Sequence, residues 1–263
     1  MANFHVISGA DHTPAQLTIR KIGSGDIRES LSRGLNDFLA MPSHLAFIGL
    51  IYPVLGMCLG ALTFSSNALP LLYPLVTGFA LVGPFAAIGL YEISRRRERG
   101  EETSWRDAFE VLRSPAIPSI LTVGVLLLVI FVAWLATARI LYESLFGVLP
   151  PDSYAGFLQE VLSTREGWTL ILLGNLIGFV FAAVVLSISV VSFPLLLDRD
   201  VGAAVALQTS VRAVLANPSM MALWGAIVAA ALLVGTLPLL VGLAVVVPIL
   251  GHATWHLYRR LVA

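Results

Sequence analysis

The sequence predicts an all-α, polytopic membrane helical bundle with six transmembrane helices. Three observations lead there. Only 12% of the 263 residues are charged and 57% are hydrophobic, whereas a soluble domain carries about 25% charged residues. Apolar runs of about 20 residues recur, the length that crosses a hydrocarbon core roughly 30 Å thick. The Lys and Arg residues also gather in alternate segments, as cytoplasmic loops do. Sixteen basic against sixteen acidic residues leave a formal charge of zero, which gives no electrostatic argument for nucleic acid. One cysteine, Cys58, excludes a disulfide scaffold.

The first apolar run, residues 45–64, is already span-length and reads as a retained anchor. A polar turn at Ser65, Ser66 and Asn67 leads to a second span, 69–93. Spans three and four are expected at 117–141 and 168–197, separated by a mixed segment, 142–167, that reads either as a short outer cap or as a linker. Residues 220–255 are too long for one untilted span, and Gly235, Thr236, Leu237 and Pro238 break them into two. Fourteen Lys and Arg residues fall at 20–33, 95–113, 199–212 and 259–260, against only Arg139 and Arg165 on the other side. Both termini are therefore expected in the cytoplasm.

Three prolines, Pro42, Pro115 and Pro218, follow similar amphipathic segments. Eleven, seven, four and three positions before each stand Leu31, Leu35, Phe38 and Leu39; Ser104, Ala108, Val111 and Leu112; and Leu207, Val211, Val214 and Leu215. This helical spacing predicts an interfacial helix before each hairpin, which proline ends. The returning spans also repeat: Pro84 precedes Tyr91, Arg95 and Arg96 by the offsets that separate Pro248 from Trp255, Arg259 and Arg260. Pro194, with Asp198 and Arg199, is a looser copy. The aromatics are expected at headgroup depth and the prolines at kinks packed in the bundle. The chain thus reads as one integral membrane domain, 1–263. A flexible cytoplasmic N-terminus, 1–25, precedes three units of interfacial helix plus two-span hairpin, at 26–93, 101–197 and 201–257.

The run from Val76 through Pro84, Tyr91, Arg95, Arg96 and Arg97 to Glu101, followed by Trp105, resembles the signature block of a bacterial family. That family is the predicted integral membrane proteins known as domain of unknown function 2189. Gly34, Asp37, Phe38 and Pro42 resemble the family's approach to its first span. The resemblance implies a multi-pass protein of the bacterial cytoplasmic (inner) membrane and no particular activity.

Four polar residues are candidates for chemistry. His252 and His256 share a helical face at i, i+4, a usable metal or haem-edge pair, although a buried metal needs further ligands. The plainer reading places His256 at the interface and lets His252 hydrogen-bond within the bundle. Glu92, an acid inside a span, suits a proton relay by default, but one turn from Arg95 and Arg96 it reads first as an ion-paired residue. Asn175, between Gly174 and Gly178, reads as a hydrogen bond across a helix interface whose small residues allow close approach. No Ser-His-Asp arrangement, phosphate-cradling loop or paired-carboxylate motif is recognisable, and no cofactor is expected. The sequence favours a non-enzymatic interaction, assembly or auxiliary subunit whose partners are the bilayer and other membrane proteins or copies of itself. A small transporter or channel for an apolar or lipid-like solute is the alternative, and a haem protein resting on His252 and His256 is a third reading.

Overall fold

The computed structural model describes residues 17–41, 56, 60, 69–149, 151, 153–237 and 242–263. Apart from Gly56 and Gly60, both helical, the expected first span lies outside the described residues, as do Pro42, Cys58 and Pro238. The described helices are α1 (Ser24–Ala40), α2 (Leu72–Ala86), α3 (Ile88–Glu98), α4 (Ile117–Phe146), α5 (Tyr154–Ser163), α6 (Arg165–Ser189), α7 (Ser192–Asp198), α8 (Gly202–Ala216), α9 (Pro218–Thr236) and α10 (Leu243–Leu261), with a 3-10 helix at Trp105–Arg113.

Among the described residues, four stretches are long and apolar enough to cross a bilayer: Leu72–Glu98, Ile117–Phe146, Arg165–Asp198 and Pro218–Thr236. They overlay the expected second to fifth spans. The expected sixth, α10, is not among them: its C-terminal half carries His252, His256, Arg259 and Arg260, and nine of its last twelve residues are buried. Two of the four stretches are broken. The first breaks at Ala87, three residues after Pro84, and the third between Ser189 and Ser192, just before Pro194. At the second break the Val191 N–H donates to Ser210 Oγ on α8 at 3.2 Å, so a polar side chain satisfies a backbone group that the interrupted helix leaves over.

The chain divides into two compact units, Met1–Pro53 with Pro84–Val125 and Leu186–Ala263, and Val54–Gly83 with Leu126–Val185. In the first, α1 lies along α10, α3 packs against the 3-10 helix and α10, and α7 packs against α8. Trp224, Trp255, Tyr258 and Phe193 supply its largest fully buried side chains. Helix α3 stops at Gly100, whose φ of 73° suits glycine. Its N–H reaches Arg97 O, and the next N–H, of Glu101, reaches Arg96 O, which closes the helix end by the Schellman pattern. Residues 17–23, expected within a flexible tail, are instead tied down. Arg20 N donates to Leu261 O at 2.8 Å, Ala263 N donates to Thr18 O at 3.0 Å, and Ile19 bridges Val262. These backbone bonds give the segment a partner that a tail reading does not anticipate.

The segments before the three prolines are helical, but the middle one is a 3-10 helix. At three residues per turn, positions three apart align: Ala108 and Val111 face inward, while Phe109 and Leu112 face out. In all three segments the leucine three before the proline is exposed, Leu39 at 63%, Leu112 at 71% and Leu215 at 74%. The faces that pack mix small and polar residues with apolar ones: Ser30, Gly34 and Asp37 with Ile27 and Phe38 on α1, and Thr209, Ser210 and Ala213 with Val205 on α8.

In the second unit Trp134 is the centrepiece. Its Nε1 donates to Pro74 O at 2.9 Å, and its ring lies 5.6 Å from that of Phe181. A Cβ on Gly78 would stand 2.5 Å from that indole, and one on Gly178 would stand 3.1 Å away. Gly178 therefore makes room for a ring, where the Gly174 and Gly178 spacing had suggested backbone approach. The segment 142–167 holds α5, started by Ser153 Oγ accepting from Gly156 N at 3.1 Å, which satisfies an otherwise orphaned helix-start amide.

Candidate functional site

Three elements of the first unit bring five polar side chains to one point. Asp37 on α1 is 7% exposed, Ser94 on α3 and His252 on α10 are fully buried, and His256 is 8% exposed. Asp37 Oδ2 accepts from Ser94 Oγ at 2.6 Å and lies 2.8 Å from His256 Nε2, while Asp37 Oδ1 accepts from Arg97 Nε at 2.9 Å. Ser94 Oγ also lies 2.8 Å from His252 Nδ1. Burial works against an ionised Asp37, but hydrogen bonds from His256, Ser94 and Arg97, with the charge of His256, outweigh it and hold the carboxyl down to about 2.

That ionisation fixes the direction of the chain of bonds. A carboxylate only accepts, so the single Ser94 proton points to Asp37, and Ser94 Oγ in turn accepts from His252 Nδ1–H. A serine, a histidine and an aspartate thus do meet, although the spacing in the sequence showed no such arrangement. Their order is wrong for a nucleophile, because the histidine nitrogen facing Ser94 is a donor and takes no proton from it. The hydroxyl is also fully buried. His252 and His256, which share a helical face that suits either a metal or haem-edge pair or a plain packing role, turn to different partners, Ser94 and Asp37. Among the described residues no group of three metal-ligating side chains is arranged to hold an ion.

Glu92 is 2% exposed and meets two guanidiniums. Arg95 donates through Nε and Nη2 at 2.8 Å each, and Arg96 through Nε at 2.9 Å. This two-pronged geometry is the strong form of a carboxylate pair. Arg96 continues to Asp107 at 3.4 Å and to Glu110 on the 3-10 helix. In the second unit Asn175 Oδ1 accepts from Tyr73 OH at 2.8 Å, and its Nδ2 donates to Ile171 O at 2.8 Å. Asn175 therefore makes the interhelical bond that its position suggested.

The ends of the three proline-marked helices close a ring. Arg95 Nη1 donates to Leu197 O at 3.2 Å, covering a carbonyl that the end of α7 leaves without a helical donor. Asp198 accepts from Tyr258 OH at 2.7 Å and from Arg259 Nη1 at 3.2 Å. Glu98 then accepts from Arg259 Nε at 3.1 Å and from Trp255 Nε1 at 3.0 Å. Tyr91 and Trp255, expected at headgroup depth, are 2% and 1% exposed and so are enclosed by protein. Sequence reasoning singled out Glu92, His252 and His256 but passed over Ser94 and Arg97. Asp37 entered it only through the family resemblance.

Several apolar helices of spanning length, with polar side chains that bind helix to helix, define a multi-pass α-helical integral membrane protein. Residues 72–198 match the model of the family described as predicted integral membrane protein (DUF2189), the family that the signature block of the sequence resembles, and the match covers α2 to α7. The match includes Glu92, Ser94 and Asn175; Asp37, His252 and His256 lie outside it. No curated protein and no solved structure matches the chain.

Proposed function

We propose that this protein is a non-catalytic component of the bacterial cytoplasmic membrane, an auxiliary or assembly subunit that organises other membrane proteins. One observation carries the reading: the candidate polar side chains bond to one another. Asp37 accepts hydrogen bonds from Ser94 and Arg97, Glu92 accepts them from Arg95 and Arg96, and Asn175 is engaged by Tyr73. Groups committed in this way stiffen a scaffold and specify its packing. The exposed leucines at 39, 112 and 215 support three interfacial helices lying against the acyl boundary. The Lys and Arg asymmetry supports six spans with both termini in the cytoplasm.

The test is purification of the tagged protein at chromosomal expression level in a mild detergent, with absolute quantification of what accompanies it. The expected result is one membrane protein at fixed stoichiometry. Recovery of the chain alone, together with flux of a lipid-like solute through proteoliposomes, would overturn the reading in favour of a transporter. The helix breaks beside Pro84 and Pro194 favour that second reading, since interrupted helices border substrate sites in transporters. Single cysteines placed at Ser104 and Ser144 test the orientation. Under the proposed orientation, an impermeant reagent labels intact cells only at 144.

A further inference from the structure

A cavity of about 270 Å³ lies where the 3-10 helix ends and α4 begins, lined by Glu92, Arg95, Arg96, Glu110, Arg113 and Ser114 among others. Its charges are unequal in availability. Glu92 is held by Arg95 and Arg96, and Glu110 by Arg96, so these four groups largely cancel. Arg113 is exposed and forms no ion pair with a described residue, which leaves it as the available positive charge at the cavity. Ser114 Oγ accepts from Ala116 N at 3.2 Å, so its hydroxyl proton remains to be donated. The first turn of α4, a 30-residue helix, adds the positive end of its dipole on the same side. Leu112, the chain neighbour of Arg113, and Leu121 in α4 are 71% and 49% exposed and give the segments that meet at the cavity an apolar surface.

A guanidinium, a hydroxyl donor and a helix start, bordered by exposed leucines at the point where a span begins, match one kind of molecule. It has a phosphate that accepts hydrogen bonds and acyl chains beside it. We propose that this cavity binds the phosphate of an anionic phospholipid, with Arg113 as the principal cation and Ser114 as a neutral donor. The assignment does not depend on the scaffold reading, because a transporter would carry the same site, and it identifies the lipid as a specific partner as well as a solvent.

The experiment is native mass spectrometry of the full chain in detergent, titrated with phosphatidylglycerol and with phosphatidylcholine. Because one arginine near a membrane surface contributes on the order of a fivefold preference for anionic lipid, the wild type should retain phosphatidylglycerol about fivefold more than phosphatidylcholine. Arg113→Gln should lose that preference and Arg113→Lys should keep most of it. Arg139→Gln, which removes a cation already paired with Glu143 at 2.7 Å, should leave it unchanged. Thermal melting of each variant separates loss of the site from loss of the fold. Arg113→Gln that melts normally and keeps the preference would overturn the proposal. So would complete displacement of the lipid by millimolar inorganic phosphate, which would mark a site for the free anion.

Discussion

Gly34 and Ala253 meet at backbone distance. A Cβ placed on Gly34 would stand 2.5 Å from the Ala253 nitrogen and 2.7 Å from its Cβ, so α1 and α10 lie as close here as the absence of a side chain permits. Gly34→Ala must push the helices apart, and overpacking of this kind costs about 1–3 kcal/mol. Gly25, on the same helix, has nothing within 4 Å of such a Cβ, and Gly25→Ala should gain a few tenths to about 1 kcal/mol from helix propensity. Thermal melts of the two variants in detergent should therefore move in opposite directions; equal shifts would refute the close approach.

Asp37 makes the stability of the same layer depend on acid. Its carboxyl is held down to about 2 from an ordinary 3.8. A depressed carboxyl favours the folded state wherever the unfolded chain would bind the proton more tightly. The contribution is complete above about pH 4, declines as pH falls toward 2 and is absent below that, worth about 2 kcal/mol in full. Unfolding midpoints recorded from pH 7 to pH 2.5 should fall more steeply for the wild type than for Asp37→Asn. Parallel curves would mean that another carboxyl governs acid unfolding.

What could be read in the sequence follows the range of the interaction. Lipid imposes composition on each span locally, so the expected 117–141 and 168–197 reappear inside Ile117–Phe146 and Arg165–Asp198. The pairing of Glu92 with Arg95 and Arg96 was legible for the same reason, since residues three and four apart share a helix face. The bond between Asp37 and His256 spans 219 positions, and no local period encodes it. The apolar stripe of α1 is only partly a guide: Phe38 is buried, but Leu35 and Leu39 turn outward, while Ser30, Gly34 and Asp37 are buried against the protein. Hydrophobicity alone does not say which of these side chains meets a neighbouring helix.

Glu92 separates structural pairing from surface decoration. Removing one partner of a buried pair leaves an uncompensated charge at a cost of about 3–5 kcal/mol. The Arg95 and Arg96 side chains retain 23% and 21% exposure, which places Glu92→Gln toward or below the lower end of that range. Glu143→Gln removes the partner of an arginine that is 67% exposed and should cost less than about 1 kcal/mol. Chemical or thermal unfolding of both variants, with Arg95→Gln alone and added to the first, should show strong coupling between residues 92 and 95. Additive effects would show that the pair contributes nothing of its own.

Asn217, 4% exposed, is the residue on which the segment before α1 is hung. Its Oδ1 accepts from Ile22 N at 3.0 Å, and its Nδ2 donates to Arg20 O at 3.0 Å and to Ala213 O at 3.1 Å. Asn217→Ala strands the Ile22 N–H and the Arg20 carbonyl, both only partly buried, so each should cost toward or below the lower end of the roughly 1–3 kcal/mol of a fully buried group. The backbone bonds to Leu261 and from Ala263 remain, so the loss should open residues 17–22 locally and spare the helices. Trypsin reports this directly, because Arg20 and Lys21 lie within the segment. Cleavage there should accelerate in Asn217→Ala. Asn217→Asp, which keeps an acceptor for Ile22 N–H but loses the donor to Arg20 O, should fall between that variant and the wild type. Unchanged cleavage in both would mean that the pairing of Ile19 with Val262 alone holds the segment in place.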